Sequence, residues 1–383
     1  MKIVATAILL LCTAACVGQN RDEIATAADN SASSLLLTRV EEIAPASLAA
    51  NDVPSVAVAY LADGKIQWTV AFGERAPGEA ATPDTLYNVA SVTKSVTAET
   101  MLRLAADGRI DLDAAMAPIF IDADLAGEPR AKLLTPRMAL SHRTGFAENW
   151  RRDMDGGKLA ISRDPGTRAR YSGENPTYVA AFASAKMSQE FDALAAKYVF
   201  RPAGMTDTYF VPGPSLDHRI AMVRGPDGTL AMPDRSSSPS AADNIHTSVA
   251  DFARFVSFAM NGEALPKELW QERAKIYDDQ VEQACPPGII PPEMCAEHTG
   301  FGLGWMVFDS GDNRFLLHNG KDWGERAIAV FEPQKKYGAV VFTSGANGRS
   351  VISDVLQVLL PDAKLNTLIA AEAEFEKSQR RSD

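Results

Sequence analysis

A serine and a lysine, Ser91 and Lys94, stand three residues apart in the stretch YNVASVTKSVTAETMLRLAADGRIDLD at 87–113. Residues at i and i+3 share a helix face, so the ammonium group can reach the hydroxyl. A neighbouring base makes a serine hydroxyl a good nucleophile, and a desolvated lysine can be that base. At a helix N-terminus the serine N–H also faces a developing oxyanion. On spacing alone, a capping serine followed by a solvated lysine is equally compatible.

The segment that follows Ser91 has a helical pattern, which would fix this spacing. Gly108 is a plausible residue to end that helix, because it tolerates the left-handed conformation of a C-terminal cap. The apolar side chains recur on one face: Val92, Val96, Met101, Leu102 and Ala105. The sequence therefore predicts that serine and lysine project from the same first turn.

Strand-like segments occur at both ends of the chain and helical segments fill its middle. The run VPSVAVAYLADGKIQWTVAFGE at 53–74 contains a hairpin signal, and strands return in GFGLGWMVFD, RFLLHNG, ERAIAVFEP and YGAVVFTSG. We predict an α+β fold, with an antiparallel β-sheet flanked by helices and built from both chain ends, and an inserted, mainly helical lobe. A cleft between the lobes is the expected place for a site.

The chain divides into four predicted parts. These are an export signal at 1–16, a tether at 17–35, a folded domain at 36–375 and a charged tail at 376–383. Within the domain, we assign about 36–90 and 296–375 to the α/β lobe and about 91–295 to the helical lobe.

Composition narrows the classes of partner. The chain has 383 residues, of which 46% are hydrophobic, enough for a large core. Its net charge of −11 argues against nucleic acid or an anionic membrane surface as the main partner. The five histidines are scattered without ligand spacing. We predict neither a metal nor an organic cofactor.

The first residues, MKIVATAILLLCTAACVGQN, have the pattern of a bacterial export signal: a lysine, a short apolar run and then small residues. The segment TAAC is similar to a lipobox, in which Cys16 would be the lipid-bearing residue, although Thr13 stands where leucine is commonest. We therefore expect an exported, periplasm-facing protein with a lipid anchor at Cys16. Ordinary cleavage nearby, without lipid, is the alternative.

Two further cysteines, Cys285 and Cys295, flank a proline-rich loop, ACPPGIIPPEMCAEH. In an exported protein, a pair at this spacing is a good candidate for a disulfide. Such a bond would restrain the loop and would carry no chemistry.

The motifs resemble, in order, those of the penicillin-recognising serine hydrolases, the family that holds class C β-lactamases, DD-carboxypeptidases and related esterases. The nucleophile segment TPDTLYNVASVTKSVTA is very similar to that of the family. LLTPRMALSHRTGF at 133–146 resembles its LLSHTSGL stretch, RPAGMTDTYF at 201–210 its PLGMTDT stretch, and GLGW at 302–305 also fits. The resemblance runs from Val53 to about Gly348 and implies a β-lactamase-like fold and an acyl-enzyme at Ser91.

The second family motif matches PGTRARYSGENPTYVA at 165–180. By this resemblance Tyr171 would shuttle the proton between Ser91 and the leaving group. The asparagine usually found two residues later is replaced by Gly173, and Asn175 takes its place if two residues are inserted. By the same resemblance, Asn175 would then bind Lys94 or a substrate amide, and we place it among the substrate-binding residues. A packed loop tyrosine is the alternative interpretation of Tyr171.

The third motif, K-T-G or H-x-G in the family, matches His318, Asn319 and Gly320. The resemblance implies that these three residues line the substrate site and that the backbone N–H of Lys321 joins that of Ser91 as an oxyanion donor. A histidine in place of lysine is mostly neutral at pH 7, which weakens recognition of a substrate carboxylate.

Two other histidines, His142 and His246, invite a Ser-His-Asp interpretation. No nucleophile-elbow motif accompanies them, and we interpret both as structural. We therefore predict a serine hydrolase that acts on an ester or amide, small-molecule or peptide. The alternatives are a DD-carboxypeptidase or weak β-lactamase and, from another class, a cell-wall peptide sensor without turnover.

Overall fold

The computed structural model describes residues 14–147, 157–233 and 236–380. The strands are β1 (Ser55–Ala62), β2 (Lys65–Ala76), β3 (Glu79–Ala80), β4 (Leu86–Asn88), β5 (Thr208–Tyr209), β6 (Val223–Arg224), β7 (Leu230–Ala231), β8 (His246–Ser248), β9 (His298–Phe301), β10 (Met306–Asp309), β11 (Arg314–Lys321), β12 (Arg326–Glu332) and β13 (Tyr337–Thr343).

The helices follow the same chain order. They are α1 (Ala14–Asn51), α2 (Thr93–Ala106), α3 (Pro136–Leu140), α4 (Glu174–Met187), α5 (Phe191–Ala195), α6 (Arg201–Ala203), α7 (Val249–Met260), α8 (Lys267–Arg273), α9 (Val281–Ala284), α10 (Gly348–Leu359) and α11 (Ala363–Arg380). A π-helical turn, Ala196–Phe200, joins α5 to α6. Short 3₁₀ turns occupy Ala90–Val92, Ala123–Leu125, Pro129–Leu133, Pro214–Arg219 and Pro292–Met294.

Eight strands form one antiparallel sheet in the order β3-β2-β1-β13-β12-β11-β10-β9. Adjacent strands β1 and β13 join the two ends of the chain, because Val56 of β1 lies opposite Thr343 of β13. The helices α2 to α9 lie between β4 and β9 in the chain. The predicted α+β fold with an inserted helical block is therefore confirmed.

Helices cover both faces of the sheet, and the strand sequences show why. Side chains alternate between faces along a strand. In β1, Ala57 and Ala59 join the core on the side of α2 and α7, whereas Val56 and Val58 join the core with α1, α10 and α11. A strand buried on both faces is a nearly continuous apolar run, as β1 is after Ser55.

The N-terminal region differs from the predicted division at one boundary. The indole N–H of Trp68 donates to the carbonyl of Ser33 at 3.1 Å, so the packed unit extends at least to Ser33 and includes part of the predicted tether. Residues 1–13 of the predicted export signal lie outside the described residues, as does the side chain of Cys16. In the described ranges, no helix has the length and apolar character needed to cross a bilayer.

The predicted disulfide between Cys285 and Cys295 is confirmed. The two Cα atoms are 5.9 Å apart. The bond ties the end of α9 to the 3₁₀ turn Pro292–Met294, and it restrains a loop at the edge of the sheet that precedes β9.

Candidate active site

The turn that carries Ser91 connects β4 to α2 through backbone that an ordinary residue avoids. Ala90 has a φ of 47°, in the left-handed region, which costs a non-glycine residue about 1 kcal/mol or more. Its N–H donates to Asn88 Oδ1 at 2.9 Å. The N–H of Val89 donates to the carbonyl of Ile245 at 2.9 Å. These bonds hold Ser91 at the entrance of α2 with its hydroxyl directed towards the cleft.

Lys94 lies one turn further along, where the sequence spacing predicts it. Its Nζ is 2.7 Å from Ser91 Oγ and 2.7 Å from the carbonyl oxygen of Ala242. The residue is 5% exposed. Nζ donates to both oxygens, and a lysine this close to the hydroxyl is in position to act as its general base.

Tyr171 faces the same pair from the loop before α4. The Lys94 amine lies 5.2 Å from the centroid of the tyrosine ring, and Tyr171 lines the same cleft as Ser91. The ring packs against those of His142, with centroids 4.9 Å apart, and Phe301, at 6.1 Å. The structure thus brings together the three residues that the sequence nominated for catalysis.

His142 packs against the ring of Tyr171. From the sequence we interpreted His142 as structural, and we did not predict this contact. Its Nδ1 is 2.9 Å from Asn175 Nδ2 and 3.4 Å from the N–H of Ser172. Burial, with the nearby charge of Lys94, holds the pKa of His142 well below its usual value. The imidazole is therefore neutral, and two donors at Nδ1 fit a proton on Nε2. His246 is buried in β8.

Asn175 does not lie where the sequence analysis placed it. The residue is 0% exposed and sits in the first turn of α4. Its Oδ1 accepts a hydrogen bond from Thr144 at 2.5 Å, and its Nδ2 faces His142. The amide is therefore engaged behind the Tyr171 loop, and Asn175 does not line the cleft, contrary to the expected substrate contact.

β11 forms the opposite wall of the cleft. His318 is 3% exposed, and its Nδ1 is 2.8 Å from the carbonyl oxygen of Asn319. Burial, followed by the charge of Lys94, lowers the pKa of His318 to about 3. The ring is consequently uncharged at neutral pH and supplies no fixed cation. Its Nδ1 carries the proton that the carbonyl accepts.

Gly320 permits a close approach between β11 and the nucleophile turn. A Cβ at this position would come within 2.2 Å of the carbonyl oxygen of Val89 and 3.2 Å of a Val92 methyl. Asn319, on the other face of the strand, directs its amide towards Glu372 Oε2 at 3.4 Å. All three residues of the predicted third motif line the cleft, Asn319 at its side next to α11.

The backbone N–H of Lys321, which the family resemblance nominates as an oxyanion donor, points away from β12. The N–H of Asp322 donates to the carbonyl of Glu325 at 3.1 Å, across the turn to β12. Backbone N–H groups alternate sides along an antiparallel strand. The N–H of Lys321, one residue earlier, therefore points away from β12, to the side where β11 runs past the end of β10.

These residues surround a cleft of about 950 Å³. Its lining comes from the Ser91 turn, the Tyr171 loop, strands β9 to β12 and helices α10 and α11: Ser91, Tyr171, Pro226, Phe301, Met306, His318, Asn319, Gly320, Lys321, Asp322, Trp323, Arg326, Arg349, Glu372, Phe375, Glu376 and Gln379. In the described part of the chain, no group of histidine, cysteine or acidic side chains is arranged to hold a metal ion.

Comparison with known proteins agrees with this geometry. A family model described as Beta-lactamase matches residues 40–361. Penicillin-binding protein 4 of Amycolatopsis lactamdurans is 24% identical over 81% of this chain and 86% of its own length.

Two solved structures share the fold. The D-alanine carboxypeptidase AmpC from Burkholderia cenocepacia has a TM-score of 0.67 and 20% identity, over 84% of this chain and 97% of that chain. A class C beta-lactamase has a TM-score of 0.69 and 16% identity, over 85% and 96%. At this identity the structural likeness shows the fold alone. The family match, however, spans most of the sequence, and the chain therefore belongs to the beta-lactamase family.

Proposed function

We propose that this protein is a serine hydrolase that cleaves an ester or amide through an acyl-enzyme on Ser91. The observation that carries the proposal is the 2.7 Å contact between Lys94 Nζ and Ser91 Oγ on the wall of a large cleft. A lysine so deeply buried beside a hydroxyl has little reason to be there for stability, since burying an amine is costly unless it is used or paired.

The reaction has two steps. The hydroxyl of Ser91 attacks the substrate carbonyl while the Lys94 amine takes its proton, and the carbonyl oxygen becomes an oxyanion beside the N–H groups of Ser91 and Lys321. The tetrahedral adduct then collapses, and Tyr171 relays a proton to the departing alcohol or amine. Water attacks the acyl-enzyme with the same groups acting in reverse, which releases the acid and restores Ser91.

The proposed substrates lack a carboxylate next to the scissile bond. His318, which stands where the family often has a lysine, is uncharged because burial lowers its pKa to about 3. An ionic contact from this position to a substrate carboxylate is therefore missing. An esterase or a peptidase that acts on uncharged groups fits this wall better than an efficient β-lactamase does.

The experiment is intact-protein mass spectrometry after exposure to a fluorophosphonate and, separately, to a penicillin, on the wild type and Ser91→Ala. A fluorophosphonate adduct that the variant lacks is the expected result. A penicillin adduct on the same serine would favour an enzyme that acts on cell-wall substrates. Absence of adducts from both reagents would contradict the hydrolase.

A second candidate, a DD-carboxypeptidase or weak β-lactamase, is favoured by the relative named as a penicillin-binding protein. A sensor that binds cell-wall peptides without turnover is a third. Rapid acylation by penicillin with no deacylation over hours would indicate the sensor, whereas repeated turnover would exclude it.

We also propose that the protein is exported to the periplasmic side of the envelope and anchored there by lipid on Cys16. The disulfide between Cys285 and Cys295 supports an oxidising compartment. Mass spectrometry of the mature protein from a bacterial membrane fraction would test the anchor, because cleavage before Cys16 with added acyl chains is expected. A mature N-terminus elsewhere, without lipid, would contradict it.

A further inference from the structure

One wall of the cleft comes from α11, whose contribution the active-site motifs do not include. Glu372, Phe375, Glu376 and Gln379 of this helix line the same space as Ser91 and Tyr171. The spacing of three and four residues places them on one face of the helix. Glu374, between them in sequence, is exposed on another face.

The two glutamates of this face are paired with the cations of the cleft. Glu376 Oε1 accepts from Arg326 Nε at 2.6 Å and lies 3.3 Å from Lys321 Nζ. Its Oε2 is 3.6 Å from Arg349 Nε, and Glu372 Oε2 is 3.3 Å from an Arg349 Nη atom. The three cationic side chains that line the cleft beside β11 thus all have a carboxylate from α11 as partner.

These pairs change what the wall can recognise. Three cations at the end of β11 would otherwise attract a substrate carboxylate. Burial alone would raise the pKa of Glu376, but Arg326 and then the other cations outweigh it and hold that pKa below the usual value. Glu376 therefore remains ionised at neutral pH. Burial raises the pKa of Glu372, and the charge of Arg349 opposes that rise, so Glu376 is the stronger counter-anion of the two. An anionic substrate would have to displace a carboxylate of α11 from its cation. The same carboxylate would also repel the substrate as it enters the cleft.

The outer rim of the cleft is apolar instead. Phe375 is 62% exposed and Trp323 is 41% exposed, and both line the cleft. Trp323 rests on Gly225, where a Cβ would come within 2.0 Å of the indole ring. Large exposed aromatic side chains beside cations that already have carboxylate partners suit an uncharged, partly apolar group.

We propose that Glu372 and Glu376 are specificity-determining residues: as internal counter-anions, they make the cleft select uncharged ester or amide substrates over those that carry a carboxylate. The inference rests on the proposed hydrolase function and names its substrate class.

The test compares two esters with the same leaving group, p-nitrophenyl butyrate and the anionic p-nitrophenyl hemisuccinate. The readout is the ratio of their kcat/KM values, which a general loss of folded protein leaves unchanged. In Glu372→Gln/Glu376→Gln, the preference for butyrate should fall by about tenfold or more, since one released ionic contact is worth at least that factor. Glu374→Gln, which removes one negative charge from the exposed face, should keep the wild-type ratio.

A calorimetric titration with succinate tests, without any turnover, whether the two glutamates weaken the binding of an anion. The double variant should bind succinate at least tenfold more tightly than the wild type. An unchanged ester ratio together with unchanged succinate binding would overturn the inference, as would an equal effect of Glu374→Gln. If the wild type cleaves neither ester and Ser91 takes up no fluorophosphonate, the hydrolase proposal fails, and the succinate titration still decides whether α11 blocks an anion site.

Arg326 is buried, so the double variant could be less stable. Glutamine keeps an oxygen acceptor for the guanidinium, and the single variant Glu372→Gln removes only the half-buried carboxylate beside Arg349. That variant should fold as the wild type does and lower the butyrate preference by about threefold. In free energy, a threefold change is slightly less than half of a tenfold change. No change in a fully folded Glu372→Gln would count against its part in the proposal.

Discussion

Asn88 Nδ2 lies 3.4 Å from Glu325 Oε1, so one side chain joins the nucleophile turn to the turn that follows β11. Asn88 Oδ1 at the same time accepts from the N–H of Ala90. The carboxyl group of Glu325 also accepts from the N–H of Gly324 at 2.9 Å. Both walls of the cleft are therefore held by a single buried carboxyl group, whose protonation state matters for the stability of the fold.

Glu325 should make stability fall as pH rises through neutrality. Burial, and secondarily the charge of Asp322, raises its pKa from 4.5 to about 7. Between these values the folded state keeps a proton that the unfolded state has lost, so the free energy of unfolding decreases with pH by up to about 1.4 kcal/mol per unit. Above about pH 7 the loss is complete. Urea unfolding at pH 5 and pH 8 measures it.

The matched variants are Glu325→Gln, which removes the titration, and Glu190→Gln, which removes an exposed carboxylate. The first should lose less stability between the two pH values than the wild type, and the second should follow the wild type. Equal pH dependence in all three proteins would show that Glu325 does not titrate in this window.

Replacing Lys94 should abolish most of the activity without unfolding the protein. General-base assistance is worth about 10²- to 10⁴-fold in rate, so Lys94→Ala should lower kcat by about 10³-fold. Lys186→Ala, on the exposed side of α4, is the control. A Lys94→Ala enzyme that retains more than a tenth of the wild-type kcat would mean that another group activates Ser91.

Gly320→Ala should impair turnover by moving the two cleft walls apart. Its new Cβ would meet the carbonyl of Val89 at 2.2 Å, so the strand or the Ser91 turn must shift. A displacement near 1 Å can cost about 10²-fold in kcat. Gly127→Ala, where a Cβ would meet nothing within 4 Å, is the control. Full activity of Gly320→Ala would show that the strand yields without disturbing Ser91.

Glu99 should be the most costly carboxylate to remove from the helical lobe. It is fully buried, accepts from Arg273 Nη1 at 2.6 Å and from Trp305 Nε1 at 2.9 Å, and pairs with Arg103. Breaking a buried ion pair by removing one partner costs about 3–5 kcal/mol. Glu99→Ala should lower the free energy of urea unfolding by that amount; a loss below about 1 kcal/mol would contradict the argument.

The sequence allowed the fold and the contact between Ser91 and Lys94 to be predicted because both depend on local regularity. Ser91 and Lys94 belong to one helical turn, and the strands of the sheet are apolar runs with clear turn signals. The disulfide could be predicted because its cysteines flank one short loop. The prediction of Tyr171 depended on the family motif, because nothing in the sequence of its loop shows that the side chain reaches Lys94.

Side-chain direction and long-range pairing could not be predicted. Asn175 matched a family position only if two residues were inserted, and the first turn of α4 directs its amide to His142 instead of the cleft. Glu376 meets Arg326 only because α11 crosses the end of β11 and β12. From the sequence alone, an acidic residue on a helix is interpreted as a solvated surface position, because the sequence does not show where α11 crosses the sheet.

The pairing of β1 with β13 also constrains the order in which the chain can fold. Val56 emerges early in synthesis, and its neighbour Thr343 emerges only after the whole helical lobe. Contacts so distant in sequence slow folding, because the entropy of loop closure must be overcome first. A ribosome-bound chain that stops before β13 has Ser91 and Lys94 but no complete sheet to bring β11 against them. The cleft around Ser91 is therefore completed only after synthesis has passed β13, and not gradually as the lobes are made.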